Sequence, residues 1–320
     1  MNTEIIRMRT KIIIEALLSY IQSKLNLFSK KRVANTFLVS GTPRGGTTWV
    51  AESVAKALGT RRTLWEPLQD GNTAKKNLGF SKRPFLNKEF RDHGQKTFFD
   101  NLIGGKQANV HLLRLSQFPS NFFTLFLPHP LLIKFVRGNG VVGLLREEYD
   151  LPKPIVVLRH PCAVVASQMK MGEWEDHPHI DEEFLKKFPE VKKYISEDVS
   201  LPERLAMTWA CDVLSAKNRK SDVHLVYYEE LVINGPAILC PILAEWGYDI
   251  SKDDMAVILG QSSTTTHSWS DHTDITKKLH RWEDQLKEPV INSIIDRVLS
   301  IGVKDYDANS LPVHLQKNER

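Results

Sequence analysis

The sequence has little cysteine, no long apolar run and, over most of its length, no net charge. Its three cysteines, Cys162, Cys211 and Cys240, are widely spaced and odd in number. That excludes a disulfide framework and a C-x-x-C metal or redox pair, and leaves buried small hydrophobes as their reading. No stretch reaches the ~18 uninterrupted apolar residues of a spanning helix. The nearest, Ile12 to Ile21, is broken by Glu15 and Ser19, and no small-residue cleavage site follows it. A secretory signal is therefore not indicated, and a cytoplasmic location is expected.

Charge is concentrated at one end. The chain of 320 residues has 43 Lys and Arg against 38 Asp and Glu, a formal net charge of +5. Residues 1–34 hold seven of the basic groups and two of the acidic ones, so the body beyond them is neutral. A neutral body lacks the broad basic face on which a duplex-coating nucleic-acid binder depends. The leader itself has the stripe of an amphipathic helix, with Ile14, Leu17, Ile21, Leu25 and Phe28 on one side. Two roles are open for it: packing on the domain surface, or peripheral docking to an anionic membrane through Arg7, Arg9, Lys11 and the Lys30-Lys31-Arg32 cluster.

After Val33 short apolar runs alternate with helical stretches. Thr36–Ser40, Leu131–Val136, Ile155–Leu158 and Val223–Tyr228 have the composition of buried strands. Helical patterns follow at Thr48–Leu58 and around residues 235–246 and 286–301. Such alternation predicts an α/β fold, a parallel sheet with helices on both faces. Ligands of these sheets sit at the carboxyl ends of the strands, so the residues after Val39, Phe135, Leu158 and Tyr227 should converge. Segments 68–128 and 171–200 interrupt the pattern and read as helical and loop insertions over the site. The expected layout is a leader at 1–34, one domain at 35–310 and a tail at 311–320.

The stretch Gly41-Thr-Pro-Arg-Gly-Gly-Thr-Thr-Trp49 lies between a strand and a helix. A glycine-containing turn that opens a helix aims several N–H groups at one point, where the helix dipole also favours an anion. Gly41 and Gly46 match the spacing of the nucleoside-triphosphate loop G-x-x-x-x-G-K-S/T, but Thr47 stands at the lysine position. The loop cation is instead Arg44, which with the amides of Gly45 to Thr48 and the hydroxyls of Thr47 and Thr48 suits a smaller terminal anion. A second element follows the strand at 155–158: Arg159-His-Pro-Cys-Ala-Val-Val-Ala-Ser167. Pro161 starts a helix there, and Arg159 with Ser167 can grip a second phosphate. Two grips at two strand ends point to a nucleotide with phosphates at both ends.

Together these stretches resemble the signature of PAPS-dependent sulfotransferases. In that family the 5′-phosphosulfate loop runs Pro, Lys or Arg, Ser, Gly, Thr, Thr, then Trp or Leu. The 3′-phosphate element begins Arg, Asp or Asn, Pro and closes on Ser. Tyr228-Glu-Glu-Leu231 is similar to the family's Y-E-D-L, and Arg281-Trp282 to the R-W before its last helix. This sequence departs from the pattern with Gly45 in place of the serine and with His160 in place of Asp or Asn. The arginine in the first loop and Glu66-Pro67 soon after are closer to the carbohydrate and protein-tyrosine branches. The R-K-G loop of the cytosolic small-molecule branch is absent.

The resemblance implies PAPS as sulfuryl donor and adenosine 3′,5′-bisphosphate as product, with no metal. It implies cofactor contacts from Arg44, Gly45, Gly46, Thr47, Thr48, Trp49, Arg159, Ser167 and Tyr228. The acceptor is a hydroxyl, a sugar or glycolipid first, with a small phenol, lipid alcohol or peptide tyrosine as alternatives. Glu66, 22 residues after Arg44 and at the end of Thr63-Leu-Trp65, stands where branches of the family place a catalytic glutamate. His111 and His129 are alternative bases, and Lys134, set in an apolar strand, is the candidate to reach the sulfuryl group. Glu173, Glu175, Asp176, His177, His179 and Asp181 read as a solvated polar loop without metal-ligand order. From other classes, a nucleotide kinase with a degenerate loop and a non-catalytic nucleotide-binding module remain open. Deleting residues 1–30 should leave bisphosphate binding intact and release any vesicle association. Calorimetry and vesicle sedimentation check this, and collapse of nucleotide binding would make the leader structural.

Overall fold

The computed structural model describes residues 36–60, 62–69, 78–106, 130–172, 180–195, 198–261 and 275–316, together with Leu17, Lys75 and Ser263. Nearly all of the leader, His111, His129 and the acidic-histidine stretch from Glu173 to His179 lie outside these residues.

Five parallel strands form the sheet: β1 (Thr36–Gly41), β2 (Arg62–Trp65), β3 (Leu131–Lys134), β4 (Ile155–Leu158) and β5 (His224–Tyr227), in the order β2-β3-β1-β4-β5. β1 is buried along its whole length, which is why its residues are apolar or small and carry no charge. Its alternate side chains serve two cores, as a strand's period of two requires. Phe37 and Val39 join Leu132, Ile155 and Val157 on one face; Leu38 joins Leu64, Ile133, Val156 and Leu158 on the other.

The first face is covered by α1 (Thr47–Ala57), α7 (Tyr228–Glu245) and α8 (Lys252–Leu259), through Val50, Val54, Leu239, Leu243 and Met255. The second takes α2 (His93–Ile103), α3 (Val142–Glu148), α4 (Pro161–Met171), α5 (Glu182–Lys187), α6 (Leu201–Lys217) and α10 (Glu288–Ser300). The short α9 (Ile275–His280) precedes α10, and α11 (Val313–Gln316) follows it. α1, which follows β1, and α4, which follows β4, thus depart to opposite faces from neighbouring strands. That divergence opens a crevice at the carboxyl ends of β1 and β4, the topological switch point where α/β sheets bind ligands.

The structure adjusts several expected boundaries. β3 ends at Lys134 and β5 starts at His224, so the strand-like runs 131–136 and 223–228 are each trimmed. The helical pattern at 235–246 belongs to the longer α7, which bends at Asn234 because Pro236 cannot donate within the first turn beyond it. Segment 68–128 was expected as an insertion over the site; its described part brings Phe85, Leu86, Phe98, Phe99, Leu102 and Ile103 into the main core. The tail forms a helical turn, α11, on which His314 pairs with Glu230 at 2.5 Å. Among the described residues no helix is long and apolar enough to cross a membrane.

Cys162 and Cys211 are buried and Cys240 is half-buried, all as free thiols. Burial raises the pKa of each, that of Cys162 to about 12, which keeps them unreactive. Phe99, fully buried among the rings of Phe80, Phe90 and Phe98, seats α2 in the main core. Phe99→Ala should cost about 3–5 kcal/mol in denaturant unfolding. A loss below about 1 kcal/mol would mean that α2 is not seated in the core.

Candidate active site

The loop between β1 and α1 is shaped by alternating backbone conformations. Arg44 has φ 69° and Gly46 φ 85°, both left-handed, and Gly45 N–H closes the turn on Thr42 O at 3.0 Å. Such alternation turns successive amides toward one concave point. Gly46 opens α1 with no side chain capping it, so the first-turn amides of the helix remain for a ligand. Two glycines here are steric necessities. A Cβ on Gly46 would lie 2.5 Å from the Tyr228 ring, and one on Gly41 would lie 2.7 Å from Val157 O. The loop, β4 and the start of α7 are therefore in close mutual contact.

Arg44 and Arg159 meet at this point. Arg159 Nη1 donates to Arg44 O at 3.2 Å, and its guanidinium lies over the Tyr228 ring at 4.5 Å from the centroid. Arg44 Nε donates to Ser167 Oγ at 2.9 Å. The two anion elements expected from the sequence are thus joined: the cation of the first touches the hydroxyl of the second. Ser167 accepts from Arg44 and keeps its own proton to donate. Neither arginine has a carboxylate at ion-pair distance among the described residues. Partial desolvation, and then the neighbouring charge of Arg159, lower the pKa of Arg44. Trp49 completes the wall, edge-on to Tyr228 at 5.6 Å and donating its indole N–H to Leu259 O at 3.1 Å. Thr47 is buried under the loop and Thr48 is half-exposed.

Supporting residues were not legible in the sequence as a group. Gln168 Nε2 donates to Pro43 O at 3.0 Å, tying α4 to the loop. Trp209 Nε1 donates to Arg159 O at 3.1 Å. Glu229 is fully buried and accepts from His160 N–H at 3.0 Å and from Tyr306 OH at 2.8 Å. Burial raises its pKa, against the hydrogen bonds that favour the carboxylate. Its signal was the second position of the Tyr228-Glu-Glu-Leu231 stretch, which marked the motif without assigning the residue.

His160 has a defined task. Its Nδ1 accepts from Cys162 N–H at 3.2 Å and caps α4, which is what an Asp or Asn at this position does with its side-chain oxygen. The other nitrogen donates to Asp307 O at 3.0 Å, and the ring stacks on Trp282 at 4.5 Å. Burial lowers its pKa to about 4, so it is the neutral tautomer with the proton on Nε2.

At the ends of β2 and β3, on the side of β1 away from β4, Lys134 Nζ pairs with Glu66 Oε1 at 2.6 Å and lies 4.9 Å from the Trp65 ring centroid. Lys134 is 2% exposed, so its buried ammonium has the anionic partner that the sequence demanded. Glu66 has φ 50°, and its N–H donates to Lys134 O at 2.7 Å. Among the described non-glycine residues only Arg44, Glu66 and Asp150 have positive φ. Two of the three, Arg44 and Glu66, are residues the sequence singled out, and both are held in conformations that cost of order 1 kcal/mol each. Of the expected polar cluster near residue 180, Asp181 is structural. It caps α5 through Glu183 N–H at 2.9 Å, accepts from Ser81 Oγ at 2.6 Å and pairs with Arg91.

No family model matches the chain, and no curated protein does. Among solved structures it is similar to mouse sulfotransferase SULT7A1 complexed with PAP, at 17% identity and a TM-score of 0.42, over 90% of each chain. It is also similar to the sulfotransferase domain of the Synechococcus PCC 7002 olefin synthase, at 15% identity and a TM-score of 0.43, over 87% of this chain and 98% of that one. A sulfotransferase domain from the curacin biosynthetic pathway matches at 19% identity and a TM-score of 0.40, over 84% and 98%.

The lowered pKa of His160 makes stability depend on acidity. Its folded value of about 4 lies below the 6.5 of the unfolded chain, so its contribution is complete above pH 6.5 and is lost as pH falls toward 4. The loss amounts to about 3 kcal/mol. Glu229, with its raised pKa, acts in the opposite sense. Comparison with His160→Asn isolates the histidine: the substituted protein should keep its melting temperature through this window while the wild type declines. Parallel declines would remove His160 as the cause.

Proposed function

We propose that the protein is a P-loop sulfotransferase that moves the sulfuryl group of PAPS to an acceptor hydroxyl. The observation that carries this reading is the junction of Arg44, Ser167 and Arg159 at the switch point, where two guanidinium groups stand without a carboxylate partner among the described residues. Cations so placed call for a ligand with more than one anionic group. The loop amides and Arg44 take the 5′ end, and Arg159 with Ser167 takes the 3′-phosphate. Trp49 and Tyr228 supply the aromatic wall between them. Thr47 at the lysine position of a triphosphate loop counts against a kinase.

In the reaction the acceptor oxygen forms a bond to sulfur as the bond from sulfur to the 5′-phosphate oxygen breaks. The protein mainly positions the partners and stabilises charge on the leaving oxygen, which is the part of Arg44 and the loop amides. Glu66 takes the acceptor's proton. Lys134 holds its Oε1, leaving Oε2 toward the acceptor. As Glu66 is protonated its attraction for Lys134 falls, and the ammonium becomes available to the transferred group. Arg44 and Glu66-Pro67 favour a sugar or glycolipid acceptor, with segments 68–128 and 171–200 shaping its pocket and residues 1–34 serving as a membrane address rather than as part of the reaction.

Calorimetry with adenosine 3′,5′-bisphosphate, ATP and AMP tests the cofactor. The bisphosphate should bind best without Mg²⁺, and Arg159→Ala should bind it no better than AMP. Mg²⁺-dependent binding of ATP at equal or higher affinity would sink the reading. Glu66→Gln should keep bisphosphate affinity and lose about 10²–10⁴-fold in sulfuryl transfer from labelled PAPS to glycan, lipid or phenol acceptors. Unchanged turnover would remove Glu66 as base.

A further inference from the structure

Thr42 sits in the anion loop, 3% exposed, and its Oγ1 has no hydrogen-bond partner among the described residues. A buried hydroxyl in that state is costly and needs a reason. Its location supplies one. A Cβ added to Gly45 would lie 2.9 Å from Thr42 Oγ1 and 2.9 Å from Thr42 O, the carbonyl that accepts from Gly45 N–H. The Thr42 hydroxyl therefore occupies the space into which a side chain at position 45 would project. In the loops that this one resembles, that position carries serine.

We propose that Thr42 is an anion-positioning residue, giving the 5′ anion the hydroxyl contact that a serine at 45 would otherwise give. The hydroxyl has moved from one side of the turn to the other, and Gly45 is the vacancy that admits it. The chemistry fits the site. A hydroxyl with no other acceptor turns its proton to an anion without giving up a bond, and a hydrogen bond to a charged oxygen is about twice as strong as a neutral one. The left-handed Arg44 and Gly46 on either side of Gly45 curve the amides around the same point. The proposal rests on reading the loop as the seat of the nucleotide's 5′ end.

The test uses Thr42→Val, which keeps the shape and removes the donor, and Thr42→Ser, which keeps the donor. Adenosine 3′,5′-bisphosphate and adenosine 3′-phosphate are titrated in parallel by calorimetry. Thr42→Val should bind the bisphosphate about tenfold or more weakly and the 3′-phosphate as the wild type does. Thr42→Ser should stay close to wild type with both. Without ligand, the melting temperature of Thr42→Val should be equal or higher, because an unsatisfied buried group has gone. Wild-type affinity for the bisphosphate in Thr42→Val overturns the proposal. So does an equal loss for both nucleotides, or a Thr42→Ser protein as weak as Thr42→Val. If wild-type protein binds neither nucleotide, the reading of the loop itself fails, and that outcome is distinct from the others.

Discussion

Two positive charges held side by side, Arg44 and Arg159, are the constraint around which this molecule is arranged. Their charges repel, as the lowering of the Arg44 pKa by Arg159 shows, and fixed dipoles and a ring offset that repulsion. The Arg44 carbonyl accepts from Arg159, the Tyr228 ring presents its negative face, and Ser167 turns an oxygen toward Arg44. Behind them Trp209 holds the carbonyl of Arg159, and Glu229 holds the next N–H. Glu229 is placed to offset the cationic cluster through space without neutralising it by contact. The site thus remains electropositive on the side that faces the crevice.

The second half of the site is built in the opposite way. Lys134 and Glu66 neutralise each other by direct contact on the neighbouring strands. A buried pair of this kind contributes little to net stability, because desolvation consumes most of the attraction. Its value lies in fixing one carboxylate oxygen and leaving the other available. The positive φ of Glu66 has the same character, a local cost accepted to aim a side chain. The strand ends therefore carry two cations without a carboxylate partner among the described residues at β1 and β4, and a compensated ion pair at β2 and β3.

Much of this was legible in the sequence, for reasons that differ from part to part. Thr36–Ser40 and Ile155–Leu158 are read easily because strands buried on both faces are continuously apolar. The positions of the loop and of the Arg159 to Ser167 stretch were legible because each directly follows one of these apolar runs. β2 was harder: Arg62-Thr-Leu-Trp65 is four residues long, too short for a period to show. The core role of 78–106 was obscured by its charged composition, although Phe98, Phe99, Leu102 and Ile103 follow helical spacing. Gln168 and Trp209 act on backbone carbonyls, and no pattern announces such contacts. His160 stood out as a departure from the resemblance, and only the capping geometry explains it.

His160 also ties the Arg159 strand end to the segment around residues 282–307. Its ring is clamped by Trp282 and the Asp307 carbonyl, while Tyr306 holds Glu229. During synthesis domains form from the amino terminus as the chain emerges. The sheet, with β5 ending at Tyr227, is made well before these residues appear. A nascent chain therefore exposes the Arg159 strand end with its histidine unclamped until the segment through Asp307 has left the ribosome. The clamp on His160 is thus made long after the loop at residues 42–46 that its strand end adjoins.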